Sequence, residues 1–249
     1  MFRLVQLSDC HLSHDASATY RGEDADGWLA RVVDYCRGLK PDGVVLSGDV
    51  AEDGSVEAYQ RVVKKLDGLA ERMAWLPGNH DDRSVMSQVF DPVGYHCGPV
   101  LDWGGWQIVL LDSAWPGHPE GHLDDERLKP LDELHDRQPA LVFVHHQPLP
   151  VGAPWIDKLA LMNPDRLWSR LNNSSVRAVA FGHVHQVFEA EKDGITCLSA
   201  PSTVANSVAR TDEFELRDDL PRARWFQLME DGRWDSGLVD VTWGASETP

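Results

Sequence analysis

Five short clusters hold the residues best suited to chemistry: Asp9-Cys10-His11, Gly48-Asp49, Gly78-Asn79-His80-Asp81, His145-His146 and Gly182-His183-Val184-His185. Six of the eleven histidines of the chain fall in them. Their donor groups are carboxylates, imidazoles and one amide, so oxygen and nitrogen only. That set suits iron, manganese, zinc or another divalent ion, and it speaks against a thiolate-bound structural zinc. There are donors enough for two ions, and a metal pair about 3.5–4 Å apart clamps the attacking and leaving oxygens of a phosphoryl transfer. Taken singly, an Asp-x-His or a Gly-Asp means little. Gly78-Asn79-His80-Asp81 and Gly182-His183-Val184-His185 are rarer, and all five clusters stand in order at the ends of apolar segments.

Those segments are the elements that must position the clusters. Phe2–Leu7 reads as a strand, and Trp28, Leu29, Val32, Val33, Cys36 and Leu39 recur at helical spacing over Trp28–Leu39. Pro41-Asp42-Gly43 ends that helix, and Val44–Ser47 is a buried strand. A second helix follows, with Ser55 as its cap and Val56, Tyr59, Val62, Val63, Leu66 and Leu69 on one face. Met73–Leu76 is a third strand, and this alternation implies a parallel sheet with right-handed crossovers. Val100–Asp102 and Gln107–Leu111 form a hairpin about Trp103-Gly104-Gly105, and a helix over Asp124–Arg137 contains Pro130, which implies a kink. Leu141–Val144 and Val176–Phe181 are further buried strands, with a helix over Pro164–Leu171 between them. Past His185, Val187–Glu191, Ile195–Leu198, Arg224–Met229 and Trp234–Val241 read as antiparallel strands. The expectation is an α/β fold of two packed sheets with helices outside. Ligands of such sheets bind at the carboxyl ends of strands, so the five clusters should meet in space.

Composition narrows the function classes. The 249 residues carry 40 Asp and Glu against 23 Lys and Arg, a net charge of -17, and 42% are hydrophobic. That is too apolar for a disordered acidic chain and too acidic for a protein that tracks along a nucleic acid polymer. No apolar run approaches the roughly 18 residues of a membrane span, so no membrane partner is expected. Met1–Asp9 turns polar too early for a signal peptide, which favours a cytoplasmic location. Cys10, Cys36, Cys97 and Cys197 show no paired spacing, so no disulfide scaffold is expected. No repeat or linker stands out. We read one domain over residues 1–249, with a core to about 241 and a short C-terminal tail.

The ordered set Asp-x-His, Gly-Asp, Gly-Asn-His-Asp, His-His and Gly-His-x-His resembles that of the calcineurin-like metallophosphoesterases. More narrowly, it is similar to the bacterial class III 3′,5′-cyclic-AMP phosphodiesterases. The likeness extends to Glu57-Ala58-Tyr59, Trp75-Leu76-Pro77, Leu110-Leu111-Asp112-Ser113, His145-His146-Gln147-Pro148-Leu149-Pro150 and Ala200-Pro201-Ser202-Thr203. It runs from Leu4 to about Val241. The resemblance implies a four-layer α/β/β/α sandwich of two mixed sheets flanked by helices, holding two divalent ions. It assigns Asp9, His11, Asp49 and His185 to the first ion, and Asn79, His145 and His183 to the second, with Asp49 bridging. The ions would be iron, manganese or both, with zinc or another divalent ion as the alternative.

The reaction implied is hydrolysis of cyclic AMP to 5′-AMP by a hydroxide bridging the ions. His80, next to a ligand without being one, would stabilise the phosphoryl oxygens and protonate the leaving 3′-oxygen. His11, Asp49, Asn79, His80 and His185 would line the substrate, a small-molecule nucleotide. Other readings are a different phosphodiester or phosphomonoester, such as a 2′,3′-cyclic nucleotide or a glycerophosphodiester, and a non-catalytic scaffold for protein partners. Monomer and homodimer are both open. Asp81 is expected to orient His80 or cap the next helix, His146 to support the site or pack, and Cys10 to be a small buried filler. Trp115 and Trp155, in Pro/Gly-rich loops, are candidates to stack on a base. The acidic run within Arg210–Arg222 reads as a solvated loop.

Overall fold

Alternation within the strands decides which side chains face which layer. The computed structural model describes residues 1–172, 174–239 and 241. In β1 (Phe2–Leu7), Phe2 and Leu4 point one way, and Val5 and Leu7 the other. The same split recurs in β2 (Gly43–Ser47), β3 (Arg72–Leu76), β6 (Trp106–Leu111), β7 (Ala140–Val144) and β8 (Val176–Phe181). Strands apolar on both faces must be covered on both. The inner faces therefore share one core, including Leu4, Val45, Ala74, Ile108, Leu141, Phe143 and Phe226. The outer faces pack under helices: α1 (Ala25–Leu39), α2 (Val56–Leu66) and α3 (Arg83–Phe90) on one side. On the other side lie α4 (Asp125–Asp132), α5 (Pro154–Asp157) and α6 (Pro164–Leu171). The result is the expected four-layer α/β/β/α sandwich.

The remaining strands are β4 (Tyr95–His96), β5 (Val100–Trp103), β9 (Glu189–Lys192), β10 (Ile195–Ser199), β11 (Arg224–Leu228) and β12 (Trp234–Leu238). The first sheet runs β12-β11-β1-β2-β3-β4 and the second β5-β6-β7-β8-β10-β9. β1 to β4 are parallel, as are β6, β7, β8 and β10, so these strands carry their following loops to common edges. Near that edge the inner layer turns polar. The Gln6 amide donates to Ser47 Oγ (2.9 Å) and across the seam to the Phe181 carbonyl (3.2 Å). Buried Arg224 crosses it too, with Nε donating to the Ser199 carbonyl at 2.8 Å.

Several boundaries differ from the sequence expectation. The helix expected over Asp124–Arg137 stops at Asp132. Pro130 lacks an N–H, and buried Gln107 takes hold of the chain beyond, accepting from His135 N and donating to the His135 and Gln138 carbonyls. Ser55 stands at the start of α2 but makes no cap; its hydroxyl donates to Asp53 instead. β9 begins at Glu189 because Phe188 N is taken by the Ser199 hydroxyl, and β10 runs parallel to β8, not antiparallel throughout. β4, α5 and the bounds of α3 carried too short a pattern to be read. The expected C-terminal tail, residues 242–249, lies outside the described residues.

Phe143 and Phe226 meet edge to face across the seam, centroids 5.8 Å apart, both fully buried. Phe226→Ala is expected to lower the unfolding free energy by about 3–5 kcal/mol. Urea unfolding of variant and parent, at unchanged m-value, checks this.

Candidate metal centre

Asp9 and His11 follow β1, Asp49 follows β2, and Asn79 and His80 follow β3; His145 follows β7, and His183 and His185 follow β8. Asp9, His11, Asp49, His183 and His185 all have left-handed backbone, with φ of 54°, 47°, 48°, 67° and 48°. Such residues cost of order 1–3 kcal/mol each and persist only where the surroundings fix them. Here the loops fix one another. Asp9 N donates to the Gly48 carbonyl and His11 N to the Asp49 carbonyl, both at 3.0 Å. His183 N donates to the Asp9 carboxylate at 3.1 Å, and His80 N to Asp49 Oδ1 at 3.0 Å. From the far side, the Ser202 hydroxyl donates to the Asp9 carbonyl at 2.8 Å.

Each imidazole has one nitrogen committed to an acceptor, which sets its tautomer. His145 Nδ1 donates to the Ser47 carbonyl (2.8 Å) and His185 Nδ1 to the Ala205 carbonyl (2.8 Å). His11 Nδ1 donates to Glu52 Oε2 (2.6 Å), and His183 Nε2 to the Leu159 carbonyl (3.1 Å). The other nitrogens turn inward. His11 Nε2 and His185 Nε2 face each other at 3.1 Å, and His145 Nε2 is buried without a hydrogen-bond partner. Asn79 Oδ1 is buried and unpartnered as well. Asp49 Oδ2 lies between the two halves, 3.3 Å from His145 Nε2 and 3.9 Å from His11 Nε2. Ligand atoms of Asp9, His11 and His185 lie within 4.8 Å of one another, as do those of Asp9, Asp49 and His145.

The electrostatics call for cations. Burial alone would raise the carboxyls of Asp9 and Asp49, yet the neighbouring histidines outweigh it and hold both below the usual range. Burial likewise opposes a charge on His145, but Asp49 pushes it up to about 9. Burial holds His11 and His183 below the usual imidazole value, leaving them neutral as ligands must be. Two buried carboxylates, convergent imidazole lone pairs and an orphaned amide oxygen fit divalent ions.

Three glycines make room for this packing. A Cβ on Gly48 would meet His145 Nδ1 at 2.3 Å, one on Gly78 would meet Asp49 Oδ1 at 2.1 Å, and one on Gly182 would meet Asp9 Oδ2 at 2.7 Å. Gly48 also has φ +95°, which a side chain would strain.

Six of the sequence-derived ligand candidates, Asp9, His11, Asp49, His145, His183 and His185, converge here with His80, and Asn79 stands next to His80 on the loop after β3. Other expectations are revised. Asp81 neither orients His80 nor caps α3; Asp82 is the cap, accepting from Ser84 N and Val85 N. Asp81 instead accepts from Val50 N, Ala51 N, Gly78 N and the Tyr59 hydroxyl, tying the loops after β2 and β3 together. His146 has both nitrogens engaged, Nδ1 with the Ser113 hydroxyl and Nε2 with the Pro119 carbonyl, so it supports the site from behind. Cys10 is fully buried, and burial pushes its thiol up to about 12, as suits a filler. Trp115 stacks on His118, centroids 3.7 Å apart, and Trp155 packs edge to face on Phe214 at 5.3 Å.

Two residues were not singled out from sequence. Glu52 reaches both His11 and, at 3.3 Å, His80 Nδ1. Its signal was its place three residues past Asp49, in a loop that pairs with Leu12. Tyr20 lies flat on the His11 ring, centroids 3.9 Å apart and planes 4° apart. Nothing in its spacing announces that contact.

A two-sheet α/β sandwich with oxygen and nitrogen donors gathered at the carboxyl ends of its strands is the architecture of a metal-dependent phosphoesterase. The chain belongs to the calcineurin-like phosphoesterase family, whose model matches residues 2–187. It is 34% identical to a Pseudomonas aeruginosa protein named 3′,5′-cyclic adenosine monophosphate phosphodiesterase CpdA, covering 96% of this chain and 89% of that one. It is 28% identical to a 3′,5′-cyclic-nucleotide phosphodiesterase of Nostoc sp., over 99% of this chain and 95% of the relative. Among solved structures, a dimetal phosphatase from Danio rerio shares the fold, with a TM-score of 0.67 and 16% identity over 97% and 99% of the two chains. Among the described residues, no helix is long and apolar enough to cross a membrane.

Asp49→Ala is expected to purify with less than one ion per chain where the parent holds two. Elemental analysis after metal loading measures it, and retention of both ions would remove Asp49 from the shared position.

Proposed function

We propose that this chain is a dimetal phosphodiesterase that opens 3′,5′-cyclic AMP to 5′-AMP. The observation that carries the reading is the complete donor set with His80 beside it, one ring nitrogen anchored and the other free. The names of the relatives support the choice of a cyclic nucleotide as substrate.

In this reading Asp9, His11, Asp49 and His185 hold one ion, and Asn79, His145 and His183 the other, with Asp49 shared. Hard oxygen and borderline nitrogen donors suit iron, manganese, zinc or another divalent ion, and the family resemblance favours iron, manganese or both over zinc. When bound, the ions supply Lewis-acid activation of water and neutralise charge at the phosphoryl group. The chain's own part begins with Glu52. Its carboxylate and its backbone carbonyl both face His80 Nδ1, the carbonyl at 3.2 Å, which leaves Nε2 free. Burial disfavours a charge on His80, but Asp49 and Glu52 outweigh it and hold the imidazole above its ordinary value. That favours the protonated form of His80, which gives its proton from Nε2 to the departing 3′-oxygen. Being 37% exposed at its side chain, it is open to substrate, unlike the buried aspartate and histidine ligands. A protein-binding scaffold would need neither this imidazole nor the full donor set.

His80→Ala is expected to keep both ions and the fold while kcat on cyclic AMP falls roughly 100- to 10,000-fold. The loss should shrink on a nitrophenyl diester, whose leaving group departs without a proton; equal losses would argue against proton donation. Chromatography of the cyclic AMP product is expected to give 5′-AMP. A dominant 3′-AMP peak would place the wrong oxygen near His80.

A further inference from the structure

The loops after β1, β7 and β10 all leave from the carboxyl edge that carries the donor set, and they converge on Phe214. From the first loop, Tyr20 lies on His11, and the next residue, Arg21, turns outward. Arg21 Nε donates to the Tyr20 hydroxyl at 3.2 Å, and its guanidinium sits 3.7 Å from the Phe214 ring centroid. From the second loop, Trp155 packs on the edge of the same Phe214, and its short helix α5 leads to Leu159, whose carbonyl holds His183. A continuous arc therefore runs from one half of the donor set to the other, through Tyr20, Arg21, Phe214 and Trp155.

Arg21 is costly where it stands. Arg21 and Gly22 form a two-residue turn with φ of 52° and 90°, closed by mutual hydrogen bonds of 2.9 Å between Tyr20 and Glu23. A left-handed arginine costs free energy that a second glycine would avoid. In a chain with 40 acidic residues, Arg21 makes no ion pair among the described residues, and its terminal nitrogens have no acceptor there. The guanidinium is thus held by two aromatic rings with its outer N–H groups left to donate.

We infer that Arg21 is a specificity-determining residue that donates to the acceptor edge of the nucleotide base. The inference rests on the cyclic-nucleotide reading and goes beyond the phosphate chemistry. With the phosphoryl group at the donor set, the base must lie over the surrounding loops. Arg21 is an exposed cation in the arc that edges them, with its guanidinium already held over Phe214. A planar guanidinium stacked on Phe214 can donate to an acceptor nitrogen of the purine ring, which in adenine is N1, N3 or N7; an ammonium is a point charge that cannot keep that stacked plane. Phe214 and Tyr20 fix the plane, so little freedom is lost on binding.

The test compares ligands with and without a base on the metal-loaded, full-length protein. Arg21→Ala is expected to raise KM for cyclic AMP roughly tenfold or more, as loss of a charged donor does, with kcat nearly unchanged. The inhibition constant of 5′-AMP should rise alongside, while that of ribose 5-phosphate stays put. Arg21→Lys should recover little of the loss. Unchanged KM in Arg21→Ala, a parallel rise for ribose 5-phosphate, or full rescue by lysine would each overturn the inference, the last two in favour of general attraction for phosphate. A parent that cleaves nitrophenyl diesters but no cyclic nucleotide would instead overturn the cyclic-nucleotide reading, and this inference with it.

Discussion

Two buried carboxylates, Asp9 and Asp49, are the constraint around which the site is arranged. Neither is tolerable out of water without positive charge or donated hydrogen bonds. The chain supplies what it can: backbone N–H groups of His183 and His80, and histidines that surround both oxygen pairs. To bring those groups inward, the loops after β1, β2 and β8 adopt left-handed backbone at the donor residues themselves. The strain is borne by the sandwich, whose parallel strands aim the loops and whose polar seam, at Gln6 and Arg224, locks the sheets in register beneath them.

Much of this was legible in sequence, for a physical reason. Strands buried on both faces read as unbroken apolar runs, so β1, β2, β3, β7 and β8 were found within a residue or two, and each is followed closely by a candidate ligand. The candidate ligands were legible because a divalent ion admits few residue types. The long helix expected after Asp124 failed because its end is decided by Gln107, a residue far away in sequence. α3, β4 and α5 are held by packing on neighbours, not by a period of their own.

The supporting residues were harder to see. Asp81 looked like a partner of His80 or a helix cap because it stands between the two; in the fold it serves three backbone amides and Tyr59. Glu52 and Tyr20 act through side chains folded over from irregular loops, where no periodicity points. The acidic segment after Arg210, read as merely solvated, brings Phe214 to the rim. Composition described the segment's charge correctly and could not describe where its one aromatic ring lands.

Gly48, Gly78 and Gly182 show that the centre is defined by missing atoms as much as by present ones. Each abuts a ligand so closely that one methyl group would displace a donor. The centre's footprint in the chain is therefore larger than its roll of coordinating side chains. Anyone transplanting this site to another scaffold must carry over three empty spaces along with the donor side chains, and a host that lacks them will misplace the donors however faithfully they are copied.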